Sequence, residues 1–161
     1  MSIHSDASGF SRSLSTAEAE AYERMVDPNV YAVGHLQRSL GGTRGSREIY
    51  ENEAVRILAR LTRRIYGDKA FRRRKPGTRL IKNLVSIESN GGPHLNFMLH
   101  RPNRIDFPTF KQRLAEEWER SGWAQRSDRA FYCEEREAGS SLVGYCAKEG
   151  VDALLLKSLT W

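Results

Sequence analysis

Cysteine is scarce in this chain of 161 residues, since only Cys133 and Cys146 are present. The two form no Cys-x-x-Cys pair and no Cys/His spacing of the zinc-finger kind, which disfavours a structural zinc site and favours reduced thiols. Long apolar runs are also missing. The N-terminus has no signal-peptide core, and no window approaches the roughly 20 apolar residues of a membrane span. These absences predict a soluble, cytoplasmic protein.

Basic residues outnumber acidic ones, with 26 Lys and Arg against 20 Asp and Glu and a net charge of +6. This balance favours polyanionic partners, chiefly nucleic acid or an anionic membrane surface, and charge alone does not choose between them. The length suits one domain with one core. Residues 1–16 are rich in Ser and small side chains and are predicted to be a disordered tail, and residues 17–161 are predicted to form a single domain.

Hydrophobic periodicity and turn signals predict a short helix followed by the order β-α-β-β-α-β-α-β. The hairpin signal Asn90-Gly91-Gly92 joins two of the strands. A hairpin beside helix-connected strands predicts an α+β fold, with a central antiparallel sheet and helices mainly on one face, as in ferredoxin-like and RRM-like folds. The predicted helices span 17–25, 47–66, 107–120 and 140–149, and the predicted strands span 30–38, 80–88, 93–101, 126–135 and 151–159.

Three polar residues around the hairpin are candidate metal ligands. If the turn is 89–93, Glu88 lies directly opposite His94, and such pairs share one face of the sheet. Asn96 follows two residues later on the same face, which is predicted to be the open one. A carboxylate, an imidazole and an amide oxygen suit Mg²⁺ or Mn²⁺. The alternative interpretation is a set of polar residues on a hydrated sheet face.

Tyr145 and Lys148 form the second candidate feature. Residues three apart on a helix are neighbours, so the two side chains are predicted to share a face. The lysine would favour the phenolate and hold a phosphate, which makes Tyr145 a candidate nucleophile. The alternative is a half-buried tyrosine beside a solvated lysine.

A basic segment, predicted to be a loop over 69–79, is the candidate nucleic-acid contact. Its cations suit phosphate binding, and its aromatic ring would stack on a base. The alternative is a solvated, flexible loop. The candidate residues are Phe71, Arg72, Arg73, Arg74 and Lys75.

Taken together, Pro93-His94-Leu95-Asn96 and Tyr145-Cys146-Ala147-Lys148 resemble the motifs of the HUH endonuclease superfamily, most closely the rolling-circle replication initiators of small plasmids and single-stranded DNA viruses. The resemblance implies a divalent metal, Mg²⁺ or Mn²⁺, held by His94, Asn96 and Glu88. It also implies nicking and joining of single-stranded or hairpin DNA through a 5′-phosphotyrosine on Tyr145, with Lys148 positioning the phosphate. The implied partners are DNA and a host helicase and polymerase, because no GxxxxGK[ST] motif is present, and no membrane is expected.

The chain departs from the family pattern at two places. Asn96 stands where the family has His or Gln, and its reach is shorter. The first-motif strand matches poorly, but His35 shares a face with Tyr31 on it and is a possible extra metal ligand. The remaining alternatives are a non-catalytic nucleic-acid-binding module on an RRM-like sheet, a transposon or mobilisation nickase, and a degenerate family member that binds DNA without cutting it.

Overall fold

The structure is a computed structural model that describes residues 12–137 and 141–161. This part of the chain contains both helices and strands. The helices there are α1 (Thr16–Val26), α2 (Arg47–Tyr66), α3 (Asp68–Arg73), α4 (Phe107–Glu119), α5 (Leu142–Cys146) and α6 (Lys157–Thr160), with a 3₁₀ turn at Val151–Ala153. The strands are β1 (Val30–His35), β2 (Ser39–Leu40), β3 (Thr43–Arg44), β4 (Asn83–Glu88), β5 (His94–Leu99), β6 (Phe131–Glu135) and β7 (Leu154–Leu155).

The three longest helices begin at side chains that cap their free amides. Ser15 and Glu18 form a reciprocal capping box at α1, Ser46 accepts a hydrogen bond from the third amide of α2, and Asp106 does the same for α4. Arg12 also pairs with Glu18. The predicted tail is therefore held to α1 at its end, and its residues 1–11 lie outside the described part.

The sheet has five strands in the order β6-β1-β5-β4-β7, and each pair is antiparallel. β5 lies at the centre between β1 and β4, and the β4–β5 hairpin turns over residues 89–93. Gly91 and Gly92 have φ of 76° and 111° there, in the left-handed region that glycine adopts readily. The prediction of an α+β fold around an antiparallel sheet is confirmed, and the arrangement is consistent with a ferredoxin-like fold.

Both faces of the sheet are covered, one more heavily than the other. The long helices α2 and α4 pack on the face that carries Leu95, Phe97 and Leu99. Helices α1 and α5 cover the opposite face around Tyr31 and Met98. The prediction that this second face is open is therefore wrong for the middle of β5, because the apolar sides of α1 and α5 need a partner and find it there.

The structure also corrects the C-terminal prediction. The apolar run 151–159 forms a 3₁₀ turn, the two-residue strand β7 and then α6, instead of one strand. A short apolar run does not by itself distinguish a strand from a buried helical segment. The β2–β3 hairpin was not predicted either, although Gly41-Gly42, with φ of 55° and 81°, is the turn pair typical of a tight hairpin. In the described residues no helix is long and apolar enough to cross a membrane.

Candidate active site

Glu88 and His94 form a close pair at the turn end of the β4–β5 hairpin. They lie directly opposite each other in the register, as predicted, and His94 Nε2 is 3.0 Å from Glu88 Oε2. The other ring nitrogen, Nδ1, is 3.1 Å from the carbonyl oxygen of Gly92. A carbonyl only accepts, so Nδ1 carries a hydrogen. The contact between Nε2 and the carboxylate oxygen then needs either a proton or a metal cation between the two atoms.

Asn96 lies beside this pair, and its side-chain nitrogen, not its oxygen, faces Glu88. Nδ2 donates to Glu88 Oε1 at 3.0 Å and to the hydroxyl of Ser86 at 3.2 Å. Oδ1 accepts a hydrogen bond from the Tyr31 hydroxyl at 2.9 Å, and the residue is only 1% exposed. The prediction that the Asn96 oxygen converges with Glu88 and His94 is wrong for this arrangement, because Tyr31 occupies the oxygen and the carboxylate attracts the amide N–H groups.

Lys148 lies next to Glu88, and the Tyr145 ring lies beside Lys148. Lys148 Nζ is 3.4 Å from Glu88 Oε2 and 5.0 Å from the centre of the Tyr145 ring. The Glu88 charge raises the pKa of the Lys148 ammonium, first by Coulombic attraction and then through the hydrogen bond. Tyr145 is 58% exposed, so its hydroxyl is accessible to a large substrate.

The helix that carries Tyr145 is shorter than the predicted one. It ends at Cys146, so Lys148 follows the helix, and the predicted start at Ser140 lies outside the described residues. Ser86 on β4 holds its end, donating a hydrogen bond of 2.9 Å to the Cys146 carbonyl oxygen. Beyond α5, Lys148 borders a cleft of about 600 Å³ that lies between α1 and α5.

His35 continues the same row of side chains onto β1. It faces His94 in the register, and the two rings are 5.2 Å apart between centroids. Burial, and then repulsion from His94, lower the pKa of His35. A neutral imidazole beside His94 is compatible with the predicted role as an extra ligand. However, no three His, Cys, Asp or Glu side chains among residues 12–137 and 141–161 are grouped as a metal site.

Sequence reasoning missed Ser86 and gave Tyr31 no function. Ser86 precedes Glu88 by two residues on β4, so strand alternation places it on the face of Glu88. Tyr31 was assigned to the face of His35 by the same rule. The missing information was which other side chains the covered face brings within hydrogen-bonding distance of Asn96.

Phe71 is not the exposed ring that the sequence predicted. The segment starting at Asp68 is the helix α3, and Phe71 is 3% exposed within the main core. Its ring lies 6.2 Å from that of Trp161, and the Arg63 guanidinium covers it at 4.5 Å. Phe71 is therefore not available for stacking on a base in this structure. Its apolar ring is buried instead, which stabilises α3 against the core.

The arginines of the same region remain at the surface and several lie against aromatic rings. The guanidinium groups of Arg74 and Arg104 lie 4.5 and 5.1 Å from the centre of the Tyr66 ring. Arg79 lies 5.6 Å from the centre of the Trp161 ring. Such contacts reduce the rotamer freedom of the side chain before any ligand binds. Three further cations of the segment are exposed, namely Arg72, Arg73 and Lys75.

The Glu88–His94 pair fits a hard divalent ion. Ligands at about 2.1 Å in adjacent positions of an octahedron are about 3.0 Å apart, and the separation of Oε2 and Nε2 is also 3.0 Å. With Nδ1–H bonded to Gly92, Nε2 is the ring nitrogen that could act as a ligand. Mg²⁺ commonly takes few protein ligands and completes its shell with water and phosphate oxygens, which suits a site with two donors.

Comparison with known proteins yields no match: no protein-family model, no curated protein and no solved structure matches this chain.

Proposed function

We propose that this chain nicks and joins single-stranded or hairpin DNA through a covalent bond to Tyr145, in the manner of the rolling-circle initiators that its motifs resemble. One observation carries the proposal. Lys148 lies beside the Glu88 carboxylate of the Glu88–His94 pair and also beside the ring of the exposed Tyr145. Lys148 thus connects an exposed candidate nucleophile with a carboxylate and an imidazole of the kind that bind metal ions.

The reaction is a transfer of a phosphoryl group between two oxygen atoms. The Tyr145 oxygen gives up its proton to solvent water and bonds to the phosphorus, and the bond from phosphorus to the 3′-oxygen breaks. The 3′-oxygen takes up a proton from solvent and becomes a free hydroxyl, while the 5′-phosphate remains on the tyrosine. The positive charge of Lys148 stabilises the phenolate and the phosphate oxygens. In joining, the 3′-hydroxyl attacks the phosphotyrosine and the bonds exchange in reverse.

Glu88 and His94 are the residues that would hold Mg²⁺ or Mn²⁺ in this proposal, with His35 as a possible addition. The ion would neutralise charge on the phosphate oxygens. Glu88 is 5% exposed and fixed by hydrogen bonds, so it offers a ligand that needs little reorganisation.

The arginine-rich surface around α3 provides the second contact with DNA. Arg74 and Asn83 line the same small cavity, so this surface adjoins the start of β4, whereas Glu88 lies at its end. Glu88 is five positions beyond Asn83 along the strand, which is roughly 17 Å. Single-stranded DNA bound at Tyr145 would therefore extend to the arginine surface, or the stem of a hairpin would contact that surface. Binding of phosphates there would depend on the salt concentration.

A base-stacking module of the RRM type has less support. Such modules present aromatic rings on an open sheet face, and here α1 and α5 cover that face around Tyr31 and Met98.

In the proposed reaction the free 3′-hydroxyl is a primer, so a host polymerase and a helicase are the expected later partners.

Covalent labelling tests the proposal directly. The protein is incubated with labelled single-stranded oligonucleotides from the DNA that encodes it, with Mn²⁺ or with EDTA, and run on a denaturing protein gel. We expect a metal-dependent label that Tyr145→Phe abolishes. Tyr132→Phe is the matched control, because Tyr132 is a similarly exposed tyrosine (52%) on β6 and should retain the label. A label that persists in Tyr145→Phe would remove this residue from the reaction, and DNA binding without any label would indicate a binding module.

A further inference from the structure

A series of buried hydrogen bonds connects Tyr31 on β1 with the Glu88 carboxylate. The Tyr31 hydroxyl donates to Asn96 Oδ1 at 2.9 Å, and Asn96 Nδ2 donates to Glu88 Oε1 at 3.0 Å. Tyr31 is 8% exposed, Asn96 1% and Glu88 5%. Burial of three polar groups is costly unless each is paired, and here the pairing is mutual. Each of the three buried groups therefore has a partner in this series of hydrogen bonds.

The charge of Glu88 determines which way the Asn96 amide points. A carboxylate accepts hydrogen bonds and cannot donate one, so it attracts the NH₂ group and repels the amide oxygen. The hydroxyl of Ser86 also lies 3.2 Å from Nδ2. In a planar amide the oxygen and nitrogen diverge, so when the nitrogen faces Glu88 the oxygen faces Tyr31, away from the site.

The two oxygens of Glu88 consequently have different surroundings. Oε1 is held by Asn96, while Oε2 is the atom close to His94 Nε2 and to Lys148 Nζ, at 3.0 and 3.4 Å. All contacts with the candidate catalytic side chains are thus made by Oε2. A partial rotation of the carboxylate would break the bond to Asn96 and turn the other oxygen away from His94.

We propose that Asn96 and Tyr31 are positioning residues for Glu88, and that Asn96 is not itself a ligand of the cation. Together they orient the carboxylate so that Oε2 faces the cation with Nε2 of His94. The inference rests on the function proposed above. It assigns Asn96 a different task from the metal-ligand role that the motif resemblance implies for this position.

Tyr31→Phe separates the two roles of Asn96 better than a change of Asn96 itself, which would weaken binding in either case. If Asn96 positions Glu88, loss of the hydroxyl frees the amide to rotate and Mn²⁺ binding weakens about 10-fold or more, as for other partners of metal ligands. If Asn96 is a ligand, its oxygen must leave the Tyr31 hydroxyl, which donates to it in the structure, in order to reach the cation. Loss of the hydroxyl then removes a competitor for that oxygen and leaves Mn²⁺ binding unchanged or tighter.

The measurement is the affinity for Mn²⁺ alone, read from the electron paramagnetic resonance signal of the free ion during titration of the full chain. Tyr132→Phe is the control for removal of a tyrosine hydroxyl away from the site and should bind like the wild type. Glu88→Gln should bind at least 10-fold more weakly, which places the ion at Glu88. A thermal unfolding curve for each variant separates an altered site from an unfolded protein. A merely structural role of Tyr31 would move that curve and leave the Mn²⁺ affinity of the folded protein unchanged.

The outcomes are distinguishable. Weaker Mn²⁺ binding by folded Tyr31→Phe supports the inference. Binding that is equal or tighter overturns it and leaves the proposed function standing. A wild-type chain that neither binds Mn²⁺ nor becomes attached to DNA overturns the proposed function and, with it, the inference.

Discussion

Replacement of Ser86 by alanine tests whether the sheet holds α5, and with it Tyr145, in place. Ser86 is fully buried on β4. Its hydroxyl donates to the carbonyl oxygen of Cys146, at the end of α5, and accepts a hydrogen bond from Asn96. One small side chain thus joins the strand of Glu88, the central strand and the helix of the candidate nucleophile.

The expected cost follows from those contacts. Ser86→Ala removes the hydrogen-bond donor for the Cys146 carbonyl oxygen at the end of α5. It also removes one of the two acceptors of Asn96 Nδ2, but the bond from Nδ2 to Glu88 remains. A buried acceptor that loses its partner costs about 1–3 kcal/mol. For a chain of this size, a loss of about 2 kcal/mol corresponds to a fall in the melting temperature of roughly 4–8 °C. Alanine leaves no clash, so the fold should persist.

Two assays measure the effect. Urea unfolding followed by tryptophan fluorescence reports the free energy of unfolding, and hydrogen exchange reports how often α5 detaches. We expect the amides of α5 to exchange faster, by about tenfold for each 1.4 kcal/mol, and DNA labelling to slow while DNA binding persists. Ser89→Ala is the control, because Ser89 is exposed just after β4 and should change stability by less than about 0.5 kcal/mol. If Ser86→Ala unfolds and exchanges like the wild type, the hydroxyl does not anchor α5 and the reasoning fails.

Two further predictions concern the core. Gly34→Ala should destabilise the protein by about 1–3 kcal/mol through overpacking, because its Cβ would lie 2.5 Å from the Trp118 ring. Gly144→Ala is the control, because its Cβ would lie at an ordinary 3.5 Å from a side chain and should be tolerated. Urea unfolding measures the stability of both variants, and equal stability would contradict the prediction. Burial raises the pKa of Cys133 to about 11 and that of Cys146 to about 12, so neither thiol should react with iodoacetamide at pH 8 until the protein unfolds, which mass spectrometry of treated samples measures. Rapid labelling of the native protein would show that the thiols are accessible.

Local sequence signals were sufficient for most of the fold. The helix predicted over 47–66 has those bounds in the structure, since Ser46 caps its start and Gly67 ends it. The hairpin was predicted from its glycines, and strand alternation with a turn at 89–93 placed Glu88 opposite His94. These features depend on backbone preferences and on spacing of two or 3.6 residues, which a sequence displays directly.

Tertiary structure decided the features that depend on which elements pack together. Phe71 was predicted to be exposed because its neighbours are basic, yet it is buried against Trp161, a residue 90 positions further along the chain. The apolar run 151–159 divided into turn, strand and helix because only two of its residues fit at the edge of β4. Periodicity says that a residue is buried, but not what covers it.

The candidate site illustrates the same division. The residue types and their spacing placed Glu88, His94 and Tyr145 in the right elements, whereas Lys148 follows the helix in which it was predicted. The direction of the Asn96 amide was beyond the sequence, because it depends on a hydroxyl 65 positions away, on Tyr31, and on the charge of Glu88. Hydrogen bonds between distant strands form only when the sheet and its covering helices are assembled, so their donors and acceptors are assigned by the fold and not by the motif.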